Sequence, residues 1–144
     1  MVKSIPVTSS LQDYLEVILK LVQEKKKARV TDIADQLGIA KPSVIQALSL
    51  LKEKGLIVQD RYGPVELTPE GERYALKIRH RHKVIYGFLT QVLGVSPQAA
   101  EEDACLLEHD LSAETFEKLL QFLREQDIDS GLENEISWDY KSEQ

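Results

Sequence analysis

The sequence predicts a mainly α-helical protein, with three short helices and one β-hairpin followed by further helices. Three observations predict it. Apolar residues recur at helical spacing in separate stretches along the chain. Glycines and Ser-Pro or Thr-Pro pairs fall between those stretches, where helix ends need them. Only Leu56-Ile57-Val58-Gln59 and Val65-Glu66-Leu67-Thr68 read as strands, with Asp60-Arg61-Tyr62-Gly63-Pro64 as the turn between them.

The elements follow in order. Ser9-Ser10 opens the first helix as N-cap, and Leu11, Tyr14, Leu15, Val17, Ile18, Leu21 and Val22 form its stripe. The run Lys25-Lys26-Lys27 ends it. Thr31 is the expected N-cap of the second helix, with Ile33, Ala34 and Leu37 inward. Gly38 stops that helix, because glycine reaches the left-handed conformation cheaply. Pro42 starts the third helix, whose inward stripe is Val44, Ala47, Leu48 and Leu51 and whose stop is Gly55. Thr68-Pro69 starts a long helix running to about Leu93, and Gly94 ends it. Ser96-Pro97 starts a helix to about Leu111, and Ser112 starts one to about Gln126 with Phe116, Leu119, Leu120 and Leu123 inward.

Helix, short helix, tight glycine turn, helix, hairpin: this order is the winged helix–turn–helix. It assigns residues 1–72 to that unit, 73–126 to an α-helical second domain, and 127–144 to an acidic C-terminal tail containing Trp138 and Tyr140.

Charge divides the same way. Net charge over the 144 residues is −6. Residues 1–82 hold 14 Lys and Arg against 10 Asp and Glu, while residues 83–144 hold 4 against 14. A net +4 half suits phosphate, and a net −10 half suits cations or a solvated acidic surface. No apolar run reaches the ~18 residues of a membrane span, and the N-terminus lacks a signal-peptide core. A single cysteine, Cys105, excludes an internal disulfide. The expectation is a soluble protein of a reducing cytoplasm.

The third helix leaves Lys41, Pro42, Ser43, Gln46 and Ser49 on its outer side. A recognition helix enters the major groove N-terminus first, so these positions meet DNA. Gln46 can pair with adenine, Ser43 and the helix-end amides can take phosphate, and Lys41 adds phosphate attraction. Arg61 and Tyr62, at the hairpin tip, would touch backbone or minor groove. The competing reading is a protein-interaction module with a solvated third helix. One unit makes few contacts, so tight binding needs a symmetric dimer on a palindromic operator.

In the acidic half, Cys105, Glu108 and His109 share a helix face, and Glu101 lies one turn before Cys105. A thiolate, an imidazole and carboxylates on one side suit a transition metal. His82 on the long helix, and Asp13 with Glu16 on the first, are further candidates. Each alone is more often a buried hydrophobe, a structural histidine or a solvated acid.

Several motifs then bear on family. They are Asp13-Tyr14-Leu15-Glu16, Val30-Thr31-Asp32-Ile33-Ala34, Pro42-Ser43-Val44, Leu67-Thr68-Pro69-Glu70-Gly71, Arg81-His82, and Cys105-Leu106-Leu107-Glu108-His109-Asp110-Leu111-Ser112. With them the chain, over residues 9–126, resembles the diphtheria toxin repressor family of iron-dependent and manganese transport regulators. The resemblance implies a homodimeric, divalent-metal-activated repressor. In it residues 73–126 dimerise and bind metal, with two sites per subunit built from Asp13, Glu16, His82, Glu101, Cys105, Glu108 and His109. Glu101 stands where iron-type members have an ancillary histidine, and Tyr86 where they have a glutamate. The resemblance is to the short form without the C-terminal SH3-like domain of many members, as expected of the manganese type.

Cys105 matches the iron type, whereas Asp13 matches the manganese type. A soft thiolate favours Fe²⁺, Co²⁺, Ni²⁺ or Zn²⁺ over Mn²⁺. The expectation is a ferrous-iron-activated repressor of metal uptake that Mn²⁺, Co²⁺, Ni²⁺ or Zn²⁺ can also activate. A manganese response, or a winged-helix regulator of an organic ligand, is the alternative. With no nucleophile motif and no phosphate-cradling glycine loop, an enzyme is not expected. Leu119, Phe122 and Leu123 are expected at the dimer surface.

Overall fold

In a computed structural model, the described residues are 7–24, 27–61 and 63–126. Lys25, Lys26, Tyr62 and the tail with Trp138 and Tyr140 lie outside them. The described elements run α1 (Ser9–Gln23), α2 (Val30–Leu37), α3 (Lys41–Glu53), β1 (Ile57–Gln59), β2 (Val65–Leu67), α4 (Pro69–Gly87), α5 (Pro97–Asp110) and α6 (Ala113–Glu125). The mainly helical, winged helix–turn–helix expectation holds. Among the described residues no helix is long and apolar enough to cross a membrane. The chain forms two compact units, Met1–Leu76 and Lys77–Gln144, and α4 contributes to both.

In the first unit, Leu15, Ile18, Ile33, Val44, Leu51, Ile57 and Val65 are fully buried in one core. The helix stripes supply most of it, as the apolar spacing requires. Two details of α1 differ from expectation. Its cap is Thr8, whose Oγ1 accepts from the Leu11 amide at 3.2 Å, rather than Ser9 or Ser10. Leu19 is buried, and Val22, in the last turn of α1, is 45% exposed. Thr31 does not cap α2, since the helix already begins at Val30. Arg29 is the cap residue, and its amide donates to the Asp32 carboxylate at 3.3 Å.

Gly38 ends α2 at φ 65° and turns the chain toward α3. Strands β1 and β2 pair antiparallel, with Ile57 opposite Leu67 and Gln59 opposite Val65. Val65 also donates to the Ala28 carbonyl at 2.8 Å, which ties the α1–α2 connection to the hairpin.

The join from hairpin to α4 is the tightest part of this unit. Thr68 Oγ1 accepts from the Gly71 amide at 3.0 Å and donates to the Gly55 carbonyl at 2.7 Å. The Thr68 amide donates to the Leu56 carbonyl at 3.1 Å. Gly71 is buried, and a Cβ there would lie 1.9 Å from the Leu56 carbonyl oxygen. Glycine is therefore required at 71 by close approach of two backbones, not by its φ.

The second unit packs around two apolar groups. Ile85 and Leu89 meet Ala100 and Ala104 of α5, small residues that admit a close helix contact. Val84 meets Phe116 and Leu123 of α6. The long helix changes geometry at its end: Phe88–Val92 is π-helical, with the Leu93 amide reaching the Phe88 carbonyl at 3.2 Å. Gly94 then reverses the chain at φ 71°. Ser96 caps α5 through the Ala99 amide at 3.3 Å, and Ser112 caps α6 through the Thr115 amide at 3.1 Å. Arg81 donates to the Leu111 carbonyl and lies over the Phe116 ring, 5.3 Å from its centroid.

The two kinds of glycine should respond differently to substitution. Gly71→Ala must displace backbone and is expected to cost about 1–3 kcal/mol, as overpacking does. Gly38→Asn meets nothing within 4 Å and keeps a residue that tolerates the left-handed region, so it should cost less. Urea unfolding of both variants checks the order; the reverse order would contradict the close approach at Gly71.

Candidate metal centre and DNA-facing surface

The second unit brings together five of the seven candidate ligands. His82 comes from α4, and Glu101, Cys105, Glu108 and His109 from one face of α5. That face arises because positions three, four, seven and eight apart align on a helix. Ala100 and Ala104 on the inner side hold α5 close to the α4 segment.

His82 is the centre of the group. Its Nε2 lies 3.0 Å from Glu101 Oε2 and its Nδ1 2.9 Å from Glu108 Oε2. Cys105 Sγ lies 3.9 Å from the same Nδ1. His109 Nε2 approaches the other Glu108 oxygen at 3.4 Å. One donor atom each of His82, Glu101 and Cys105 falls within 4.8 Å of the others. Asp13 and Glu16 stand three residues apart on α1 in the first unit.

Burial makes this arrangement costly unless its charges are shared. Glu108 is 2% exposed, and a carboxylate removed from water needs charged or hydrogen-bonding partners. The Glu108 carboxylate, more than any other group, holds the charged form of His82 and pushes its pKa up to about 9. Burial pulls the value down, and Glu101 adds to the rise. In the metal-free protein a proton on His82 is thus the cation between two carboxylates.

This donor set fits a divalent transition ion. It combines imidazole, thiol and carboxylate, and each ligand atom that holds a proton can give it up to a metal. Tyr86 adds a feature the sequence did not signal. Its ring stacks on His82, with centroids 6.5 Å apart and planes 14° off parallel. It lies against a candidate ligand where family resemblance had suggested only a missing one. Leu123, expected at a dimer surface, is fully buried among Val84 and Phe116 instead. Phe122 is 40% exposed and Leu106 68% exposed.

In the first unit, Lys41, Pro42, Ser43, Gln46 and Ser49 are all exposed on α3, and Arg61 is exposed at the hairpin turn. Tyr62 lies outside the described residues. Two apolar residues share the outside of α3: Ile45, 57% exposed, and Leu50, 44% exposed. Sequence reasoning passed over both, since Val44, Ala47, Leu48 and Leu51 already complete a helical stripe.

Family models match both halves of the chain. Residues 7–65 match the family model described as iron-dependent repressor, N-terminal DNA-binding domain. Residues 68–131 match iron-dependent repressor, metal binding and dimerisation domain. The transcriptional regulator MntR of Salmonella typhimurium is 41% identical over 115 residues, covering 80% of this chain and 73% of that protein. Among solved structures, the manganese regulator SloR is similar at a TM-score of 0.71 and 27% identity, over 83% of this chain and 55% of its own. A manganese-dependent transcriptional repressor in complex with manganese is similar at 0.72 and 30%, over 79% of this chain and 52% of its own. The chain thus spans about half the length of those two structures.

The raised pKa of His82 has a definite sign. Stability that depends on the imidazolium is fully present below the ordinary value of 6.5 and is lost as pH rises through about 9. NMR titration of the metal-free protein should therefore find one histidine half-protonated near 9. Thermal stability should fall across that window, and His82→Gln should remove this part of the fall. A His82 midpoint near 6.5 would show that Glu108 and Glu101 do not hold it.

Proposed function

The chain belongs to the iron-dependent repressor family of metal-dependent transcriptional regulators, which are not enzymes, and from this we propose a homodimeric repressor whose operator binding is switched on by a divalent metal. The single observation that carries the proposal is the His82–Glu101–Cys105–Glu108 group in the second unit. Residues 1–72 read DNA, through Lys41, Pro42, Ser43, Gln46, Ser49, Arg61 and Tyr62. Residues 73–126 dimerise and hold metal. The operator is a palindrome matching the two-fold axis of the dimer, and the regulated genes serve metal uptake.

His82, Glu101, Cys105, Glu108 and His109 supply one part of the ligand set. Asp13 and Glu16, carried on α1 of the DNA-binding unit, supply the rest, and two sites per subunit result. A bound cation supplies positive charge and directional bonds shared among these donors. When a cation is held, Glu108 would pair with it in place of the His82 proton, and His82 would ligate as the neutral imidazole. Tyr86 stacks on the His82 ring. Holding donors of α1 and α5 together would bias the DNA-binding unit toward one arrangement. A tenfold gain in operator affinity needs only about 1.4 kcal/mol of such bias.

Manganese is the first reading for the metal, supported by the two similar structures described as manganese-responsive. Iron is the second, and Cys105 is the observation that favours it, because a thiolate prefers Fe²⁺ to the harder Mn²⁺.

The test uses the metal-stripped full chain and duplexes enriched from a randomised pool, in separate selections with Mn²⁺ and with anaerobic Fe²⁺. Fluorescence anisotropy should show at least tenfold tighter binding with metal than with chelator; equal affinities would sink the proposal. Cys105→Glu should shift the response toward Mn²⁺. Unchanged responses to both metals would show that Cys105 does not select.

A further inference from the structure

On the wing side of α3 lies an open cleft of about 470 Å³, bounded by the start of α2, by α3 and by the hairpin turn. Its charged lining is Arg29, Lys52 and Arg61 against one acid, Asp60. Ile45 and Ser49 line it from α3, one helical turn apart. Ile45 is 57% exposed while the inner stripe of α3 is buried, so more than half of it stays outside the core beneath. A β-branched hydrophobe left in water within a cationic cleft is unexplained by folding.

Duplex DNA explains both features together. A cationic cleft accepts a sugar–phosphate strand. The apolar group that duplex DNA presents to a protein in the major groove is the thymine C5-methyl. Lys41, Pro42, Ser43 and Gln46, on the same helix, are the exposed positions already assigned to DNA. Ile45 adds to that polar set an apolar contact, which discriminates thymine from cytosine where a hydroxyl would not.

Resting on the proposed DNA-binding function, we infer that Ile45 is a specificity-determining residue that packs on a thymine methyl in each half-site, with Arg29, Lys52 and Arg61 holding the adjoining backbone. Removing either partner of that contact leaves the other exposed, so the two losses are not independent.

The experiment is a double-mutant cycle on the metal-loaded full-length protein, using the duplex most enriched from a randomised pool. Each thymine is replaced in turn by deoxyuridine, which removes the methyl alone. Ile45→Ala is the protein arm, and its fold is secure because the side chain is exposed. At one thymine step per half-site, deoxyuridine should weaken wild-type binding about fourfold per methyl, the change that ~0.8 kcal/mol of apolar burial gives. Ile45→Ala should bind thymine and deoxyuridine duplexes equally at that step and retain sensitivity at others. Multiplying losses at every thymine, or no thymine sensitivity in the wild type, overturns the inference while leaving DNA binding intact. Failure to enrich any duplex with any metal overturns the function proposal and this inference with it.

Discussion

The carboxylate of Glu108 imposes the main constraint on the second unit. At 2% exposure it cannot be solvated, so the surrounding chain must supply positive charge. His82 and His109 approach its two oxygens from opposite sides of the sequence, one on α4 and one beside it on α5. Cys105 and Glu101 share the same face of α5 by their helical spacing. The small residues Ala100 and Ala104 permit the approach, and Tyr86 limits the tilt of the His82 ring. A cluster that repels itself when uncharged by a cation is built into a well-packed helix pair.

In the proposed repressor, a metal would compete with the His82 proton for one position. Without metal the His82 imidazolium bridges Glu108 and Glu101, and the unit keeps an internal ion pair. A ligating imidazole must be neutral, so occupancy exchanges one cation for another rather than filling a void. In the proposed site, that competition would lower apparent metal affinity at neutral pH.

Much of this was legible in the chain. Helical stripes appear wherever packing is one-sided, and Thr68, Ser96 and Ser112 announce helix starts because caps are local chemistry. The shared face of Glu101, Cys105, Glu108 and His109 on α5 was legible from spacing alone. The features that escaped are set by tertiary contact. Nothing local distinguishes Gly71, which is needed because Leu56 passes beside it, from an ordinary glycine near a helix start. Tyr86 reads as a departure from a ligand pattern until its ring is seen against His82. Ile45 reads as one more apolar residue until α3 is found with its inner stripe already full. Thr31 misled because it is a good cap residue two positions too late, where Arg29 already has an extended backbone.

Magnitudes decide how a metal signal reaches DNA. Residues 83–144 carry a net charge of −10, and one or two divalent ions leave that half negative. Neutralisation therefore does not turn it into a surface that attracts phosphate. Screening further limits any long-range effect to about a Debye length, ~8 Å at physiological salt. The alternative is geometric. α4 starts at the hairpin, where Thr68 and Gly71 lock it to the Gly55–Leu56 backbone, and the same helix carries His82. α1, which bears Asp13 and Glu16, contributes Leu15 and Ile18 to the core it shares with α3. The candidate ligands Asp13, Glu16 and His82 therefore sit on helices that also contribute to the first unit. In the proposed repressor a metal would act through the arrangement of these residues, and a bias of about one or two kcal/mol would be enough for a switch.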